Sequence, residues 1–529
     1  MHNRLNQNLI IVFLVCALGV LLACRLPALS QFTNRDGIEA VMEEVVTVVE
    51  ETMTEVEDLL PALPQVAEEP ALPRVPVEDI DCDLFVAPNG NNNNPGNETQ
   101  PWASFQHAAD STQPGKTVCF REGTYQIEAT TLFISGTADA LITFAAYPGE
   151  HPILDGSGTT NEMLTIRSNT SYIRISGFVI RNFRNWGIFF SGGNNHIHLD
   201  HLEISGGSAA IRFTYGDSSE GPPAEGPVAY ITLEDSFIHG NQDVALDCTP
   251  GPCNHMTLSR VEISGAGIIG ESSYGADGIG FSRGHHVVVE DCYIHDNGGD
   301  GIDLGSRDRE GHMEGIIVRR NIVARNRMNG IKVWAGGRIE NNAIWGSGDS
   351  PIWAGTWHST IEIINNTVAF NMWDTSYSGR NWAVVIGYPD ELDRPEVNLT
   401  MVNNIFAFNA DPLEGGATGV YLGAGVQLTE GHNLYFSNLH GEITANSNTG
   451  QEYWLTRQEI VDGAWASLFG QGDGNLIVDP LFVSGWPDVD LRLQPNSPAI
   501  SAGNADFATD IDILLVPRKA QPSVGAYEH

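Results

Sequence analysis

From Ile173 onward one phrase recurs along the chain. An apolar residue, any residue and a second apolar residue are followed, after four more positions, by a third apolar one. It reads Ile173/Ile175/Ile180, Ile197/Leu199/Ile204, Ile231/Leu233/Ile238 and Met256/Leu258/Ile263, then Val287/Val289/Ile294, Ile316/Val318/Val323, Ile361/Ile363/Val368 and Leu399/Met401/Phe406. The starts lie 21 to 38 residues apart, counting a degenerate copy through Ile339 and Ile344. Local alternation predicts short strands with one buried face, and the glycines and asparagines between them predict turns. Short strands repeated at this period predict a right-handed parallel β-helix, a solenoid in which each coil buries its inward side chains on the next. Five residues after successive starts stand Cys292, Asn321, Asn342, Asn366 and Asn404. Asparagine tolerates left-handed backbone geometry and bonds its neighbours, so this column predicts an amide ladder along the stack, with Cys292 a buried thiol.

The repeats stop short of both ends. His2 and Arg4 precede an apolar run over residues 9–23, too short for a membrane span and the right length for an export signal. Its end, Leu21-Leu22-Ala23-Cys24, resembles a bacterial lipobox and makes Cys24 the candidate lipidated residue of a protein of the cell envelope. An ordinary cleaved signal and an uncleaved anchor are the alternatives, and all three place the body outside the cytoplasm. Residues 25–80 form a spacer. Within it, residues 36–79 carry 13 acidic side chains against Arg74 alone. Residues 36–60 have apolar positions at coiled-coil spacing, read either as an oligomerising stalk or as a solvated helix. Prolines at 61, 64, 70, 73 and 76 then predict a stiff linker. The body divides into an N-terminal cap and first coils over 81–160, β-helix coils over 161–440, and C-terminal coils with a closing segment over 441–529.

Cys82 with Cys119, and Cys248 with Cys253, are the candidate disulfides, in keeping with an oxidising compartment. The segment Pro101-Trp-Ala-Ser-Phe-Gln-His-Ala-Ala-Asp resembles the capping region of extracellular β-helix proteins, polysaccharide lyases among them. Its Ala-rich helix is expected to cover the open edge of the first coil. Asp479-Pro-Leu-Phe, Leu493-Gln-Pro-Asn-Ser-Pro-Ala-Ile and Gly525-Ala-Tyr-Glu resemble the closing segment of the same proteins.

The charge changes the picture. Lys and Arg total 27 against 66 Asp and Glu, a net charge of −39, which excludes a nucleic-acid partner because phosphate binding needs a basic surface. Only three residues are lysines: Lys116, Lys332 and Lys519. On the repeats, Asp277-Gly-Ile-Gly280, Asp300-Gly-Ile-Asp303, Asn329-Gly-Ile-Lys332 and Ser350-Pro-Ile-Trp353 recur in register. Aligning Asp243-Val-Ala-Leu246 on its alanine adds Asp243 to the column of Asp277 and Asp300, with Asp247 a weaker candidate. Asp303 and Lys332 share a second column. Coils about 4.8 Å apart bring like charges together, and a cation relieves that; Ca²⁺ prefers such oxygen donors. The plain alternative is a row of solvated aspartates. Lys332 is either a simple salt-bridge partner or a general base, since lysine, unlike arginine, can lose its proton when suitably placed.

Gly275-Ala-Asp277-Gly, Gly299-Asp300-Gly-Ile-Asp303 and Asn329-Gly-Ile-Lys332 resemble the calcium and catalytic motifs of the family 9 polysaccharide lyases, the calcium-dependent pectate lyase group. The resemblance implies Asp277, Asp300 and Asp303 as Ca²⁺ ligands, Lys332 as Brønsted base, and β-elimination on a uronic-acid polymer. One position departs: Gly299 stands where the family carries a further Asp, so Asp243 or water would have to substitute, or the site is weakened. Arg283, Arg307, Arg309 and Arg327 are candidates for holding an acidic polysaccharide. Trp334, Trp353 and Trp357 either stack on sugar rings or pack within the protein. Two other functions stay open: a non-catalytic glycan-binding or adhesion protein, and a polygalacturonase-like hydrolase using paired aspartates.

Overall fold

The computed structural model describes residues 80–213, 226–267, 276–305, 313–355, 359–371, 382–386, 396–409, 418–423, 426–438, 441–446 and 452–529. The signal, Cys24, the acidic helix, Arg307, Arg309 and Trp357 lie outside the described residues. Among these residues, three long sheets account for nearly all the regular structure, stacked as a right-handed parallel β-helix. Each coil runs through sheet II, sheet I and sheet III in turn. Sheet I has 13 strands from Leu84–Val86 to Val426–Gly431, sheet II has 13 from Thr130–Leu132 to Glu452–Leu455, and sheet III has 12 from Thr124–Gln126 to Leu434–Phe436. The one antiparallel pairing in these three sheets joins the last two strands of sheet II, Gly441–Asn446 and Glu452–Leu455.

The recurring apolar phrase is the coil. Its first two positions point inward from sheet I, where Ile173, Ile197, Ile231 and Met256 pair in sequence. Its third position points inward from sheet III, as Ile180, Ile204, Ile238, Ile263 and Ile294. All of these are at most 1% exposed, and full burial of such a side chain contributes roughly 1.5–3 kcal/mol. The degenerate repeat is also a coil, with Val318 on Ile339 and Val323 on Ile344.

The asparagine column forms the expected ladder. The side-chain amide of Asn321 donates to Asn342, Asn342 to Asn366, Asn366 to Asn404 and Asn404 to Asn433, each at 3.0 Å. The residue before each rung adopts left-handed geometry: Asp291, Arg320, Asn341, Asn365, Asn403 and His432 have φ between 53° and 62°. This bend turns the chain from sheet I to sheet III. Cys292 heads the column as a buried thiol, its backbone N–H donating to Asn321 (2.9 Å), and burial pushes its pKa up to about 12. A second ladder runs ten residues after each coil start, through Asn297, Asn326, Ser347, Asn371, Asn409 and Asn438. That constant offset is present in the sequence. Replacing Asn366 with alanine removes donors to Ile339 and Asn404 and the acceptor for Asn342. Leaving such buried groups unpaired costs about 1–3 kcal/mol each, so urea unfolding is expected to shift by at least that amount.

Both predicted disulfides are present, Cys82–Cys119 and Cys248–Cys253. The Ala-rich segment forms the helix Phe105–Ser111, capped by Ser104, and buries Phe105, Ala108 and Ala109. Phe105 packs against Phe120, Phe144 and Phe178, which closes the core at that end. At the other end Trp465, on the helix Ala464–Phe469, donates to Glu430 of the last sheet I strand. The C-terminal segment differs from a simple end closure. It runs along the outer face of sheet III, where small outward residues such as Ala324, Ala343, Ala369 and Ala407 leave room for Leu491, Ile513 and Val524. Asn341, Asn365 and Asn403, the left-handed corner residues, hydrogen-bond that segment along its length.

Candidate active site

On sheet II the inward residues of five consecutive coils pair as Leu246, Ile279, Ile302, Ile331 and Ile352. Side chains alternate across a strand, so the residue after each of these points outward, giving the column Asp247, Gly280, Asp303, Lys332 and Trp353. The residues two before stand where the chain enters each strand, outside that alternation, and form a second column of Val244, Asp277, Asp300, Asn329 and Ser350. This corrects the alignment of Asp243. The pairing residue is Leu246, not Ala245, because the fully buried leucine fills the inward position that isoleucine fills on later coils. Val244 stands level with Asp277, Asp243 is displaced by one, and Asp247 joins the column of Asp303 and Lys332.

Asp277, Asp300 and Asp303 each bring a carboxylate oxygen to within 4.8 Å of the others. Asp277 Oδ1 accepts the backbone N–H of Asp300 (2.7 Å). Asp300 Oδ1 accepts both the backbone N–H (2.8 Å) and the side-chain amide (2.7 Å) of Asn329. Lys332 Nζ reaches Asp300 Oδ2 at 3.1 Å and Asp303 Oδ2 at 2.9 Å. Trp334 Nε1 donates to Asp303 Oδ1 at 2.8 Å, and the Lys332 ammonium lies 4.8 Å from the Trp334 ring centroid. Trp334 is only 9% exposed. It is therefore a clamp on Asp303 and a wall beside Lys332, not an open sugar platform. Its ring lies 6.5 Å from that of Trp353, inclined to it by 29°.

Three carboxylates face one ammonium, an excess of two negative charges in a largely covered site. Burial, then Asp300 and Asp303, push the Asp277 carboxyl well above the usual range. Burial also raises Asp303, with Asp300 adding and Lys332 opposing. Burial alone would lower Lys332, but Asp300 and Asp303 outweigh it and hold the amine firmly protonated. The donor set is all carboxylate and undercompensated, which fits a hard divalent cation of the Ca²⁺ type.

Gly299 explains its own departure from the family pattern. A Cβ there would lie 2.4 Å from Asp277 Oδ1 and 2.9 Å from the Ala276 backbone. The Asp277 carboxylate occupies the space a side chain at 299 would need. Gly299→Asp is therefore expected to lower thermal stability and to leave calcium affinity no tighter, as read by calorimetry.

The other predicted residues lie around this centre. Arg283 is half-buried in the turn from sheet II to sheet I, and Arg327 is exposed in the turn that enters sheet II two residues before Asn329. They flank opposite edges of the sheet. Two features were missed. Asn329 holds Asp300, a role that its place in the register does not reveal. Arg212 pairs with Asp247 and donates to the Thr249 carbonyl (2.6 Å), two steps before Gly280 in the Asp303 column. The next residue back in that column is Phe189, stacked on Trp186 at 4.7 Å. The outer face of sheet II thus carries aromatic rings, an arginine, the aspartates and the lysine along one line.

Comparison with known proteins agrees with the fold. Residues 84–219 match the family described as "Pel9A-like, right handed beta helix region", and residues 164–368 match "Right handed beta helix region". The chain is 24% identical to the uncharacterised protein YwoF of Bacillus subtilis over 79% of this chain and 92% of that one. It is 26% identical to pectate lyase L of Paenibacillus polymyxa over 46% of this chain and 49% of that one. Among solved structures, pectate lyase Pel9A superposes with a TM-score of 0.48 at 16% identity, covering 84% and 96% of the two chains.

Proposed function

Since the chain is a right-handed parallel β-helix protein resembling the family 9 polysaccharide lyases, we propose that it is a calcium-dependent polysaccharide lyase acting on a uronic-acid polymer such as pectate. The observation that carries this is Lys332, the one lysine on the coils, seated in register with Asp303 and within 3.1 Å of Asp300. Asp277, Asp300 and Asp303 are the residues that would hold Ca²⁺, which when bound neutralises the uronate carboxylate and acidifies the C5 proton.

The chain's own groups do the rest. Asp300 and Asp303 place Nζ of Lys332, and Trp334 fixes Asp303 and screens one side of the amine from water. For turnover Nζ must be neutral, so the two carboxylates that hold its proton must be drawn away from it. Nζ then takes the C5 proton, the C5–H electron pair becomes the C4=C5 double bond, and the C4–O bond breaks with its electrons on the departing oxygen. Arg283 and Arg327 supply the positive charge that a polyanion needs against a chain of net charge −39. The export signal, the Cys24 lipobox and the two disulfides support a site at the cell envelope, held off the membrane by the proline-rich spacer.

The test is incubation of the mature chain with polygalacturonate, with Ca²⁺ or with EDTA. Ultraviolet absorbance of unsaturated uronides that appears only with Ca²⁺ supports the lyase. Reducing ends without that absorbance would point to hydrolysis, and saturable binding without either would point to adhesion.

A further inference from the structure

Away from the aspartates, the described residues hold a second cluster with metal-ligand chemistry. His255, His285 and His286 each bring one ring nitrogen to within 4.8 Å of the others. His255 stands on the sheet I strand Cys253–Ser259, and His285 and His286 on the next strand, Gly284–Glu290. Asn254 pairs with His285 and Met256 with Val287, so His255 and His286 hold the same position on consecutive coils. Both have left-handed backbone, φ 51° and 56°. Tyr172, His196 and Tyr230 hold that position on earlier coils with the same geometry.

The five rings form one stack. Tyr172, His196, Tyr230, His255 and His286 follow each other at 4.6, 4.8, 4.4 and 4.7 Å, each within 15° of parallel. Rings stacked face to face show solvent only their edges, so the ridge offers no face to a sugar. What its histidine end offers is nitrogen lone pairs. His285 stands across the stack, 5.0 Å from both His255 and His286 and nearly perpendicular to them. Its Nδ1 lies 2.8 Å from Nδ1 of His286. Beyond His286 the stack ends at Gly315, φ 65°, where a Cβ would sit 3.2 Å from the His286 ring. The stack fixes the ring planes, and the Cys248–Cys253 disulfide anchors the strand two residues before His255.

Three imidazoles suit a borderline cation at roughly 2.0–2.1 Å per nitrogen, and suit Ca²⁺, which takes oxygen, poorly. We propose that His255, His285 and His286 form a second metal site, which binds one divalent transition-metal ion of the Zn²⁺ class and clips two coils together on sheet I. It differs from the aspartate site in sheet, donor type and metal.

The test uses the mature chain without a polyhistidine tag, in excess Ca²⁺ so that oxygen sites are filled. Zn²⁺ titration by calorimetry is expected to show one equivalent bound, and Co²⁺ to give a tetrahedral visible spectrum, with a higher melting temperature. Because the position is left-handed, His255→Asn and His286→Asn are the variants that keep the backbone unstrained. Each is expected to lose Zn²⁺ affinity by more than the roughly tenfold that an outer-shell change costs, while uronan turnover in Ca²⁺ stays the same. Asp277→Asn is expected to keep Zn²⁺ binding. Absence of saturable Zn²⁺ binding overturns the proposal, as does binding that survives both histidine variants or is lost in Asp277→Asn.

Discussion

Replacing Lys332 with arginine is expected to abolish elimination while leaving the fold intact. Arginine keeps a cation between Asp300 and Asp303, and its planar fork can satisfy both carboxylates, but it cannot give up its proton near neutral pH. A positioned base contributes about 10²–10⁴-fold, so initial rates of unsaturated uronide release should fall by that factor. Lys332→Ala should be equally inactive but for two reasons, since it also leaves two carboxylates uncompensated. Removing one partner of a buried pair costs about 3–5 kcal/mol. The arginine variant is therefore the informative one, and urea unfolding of both variants separates the effects. Lys332 has a raised pKa in the folded chain, so its stabilising contribution is fully present below the ordinary lysine range. That contribution is lost only as pH rises through the folded value. It does not vary across the pH range of a turnover assay. Substantial turnover by Lys332→Arg would end the base assignment.

Much of this site was legible in the sequence because a solenoid converts periodicity into contact. Asp300 and Asp303 lie three apart on one coil and Lys332 one coil on, and counting from each coil start places them together. The count failed at Asp243. The coil before Asp277 has an Ala-Leu where later coils have Gly-Ile, and only the observed pairing of Leu246 with Ile279 shows which apolar residue points inward. Trp334 could not be read from position either. Its place two residues after Lys332 fits a sugar-stacking ring as well as an internal clamp, and the bond from its indole to Asp303 decides the matter. The histidine cluster was half visible. His285 and His286 are adjacent in the sequence, but His255 belongs to another coil and joins through a left-handed position that has no strict alternation. The second asparagine ladder shows the opposite case, a signal in plain view at a fixed offset of ten.

Asp277→Asn is expected to stabilise the metal-free chain while removing its activity. Asparagine keeps an oxygen where Asp277 Oδ1 accepts the Asp300 N–H, so the hydrogen bond survives. It removes a charge that burial and two neighbouring carboxylates disfavour. A carboxyl whose folded pKa lies above its unfolded value binds more protons in the native state, so stability falls as pH rises from the ordinary carboxylate range through the raised value. Above that window the whole penalty is in place, at about 1.4 kcal/mol per pKa unit. In EDTA at neutral pH the variant should therefore melt above the wild type, and the gap should close as the pH is lowered into the carboxylate range. In Ca²⁺ the order should reverse, because a ligand that binds only the folded state stabilises the wild type by mass action and the variant has lost a charged ligand. Elimination should fall with the metal. A carboxylate kept purely for structure would give the opposite sign in EDTA. If Asp277→Asn melts no higher than the wild type there, the three aspartates are not strained in waiting for a cation.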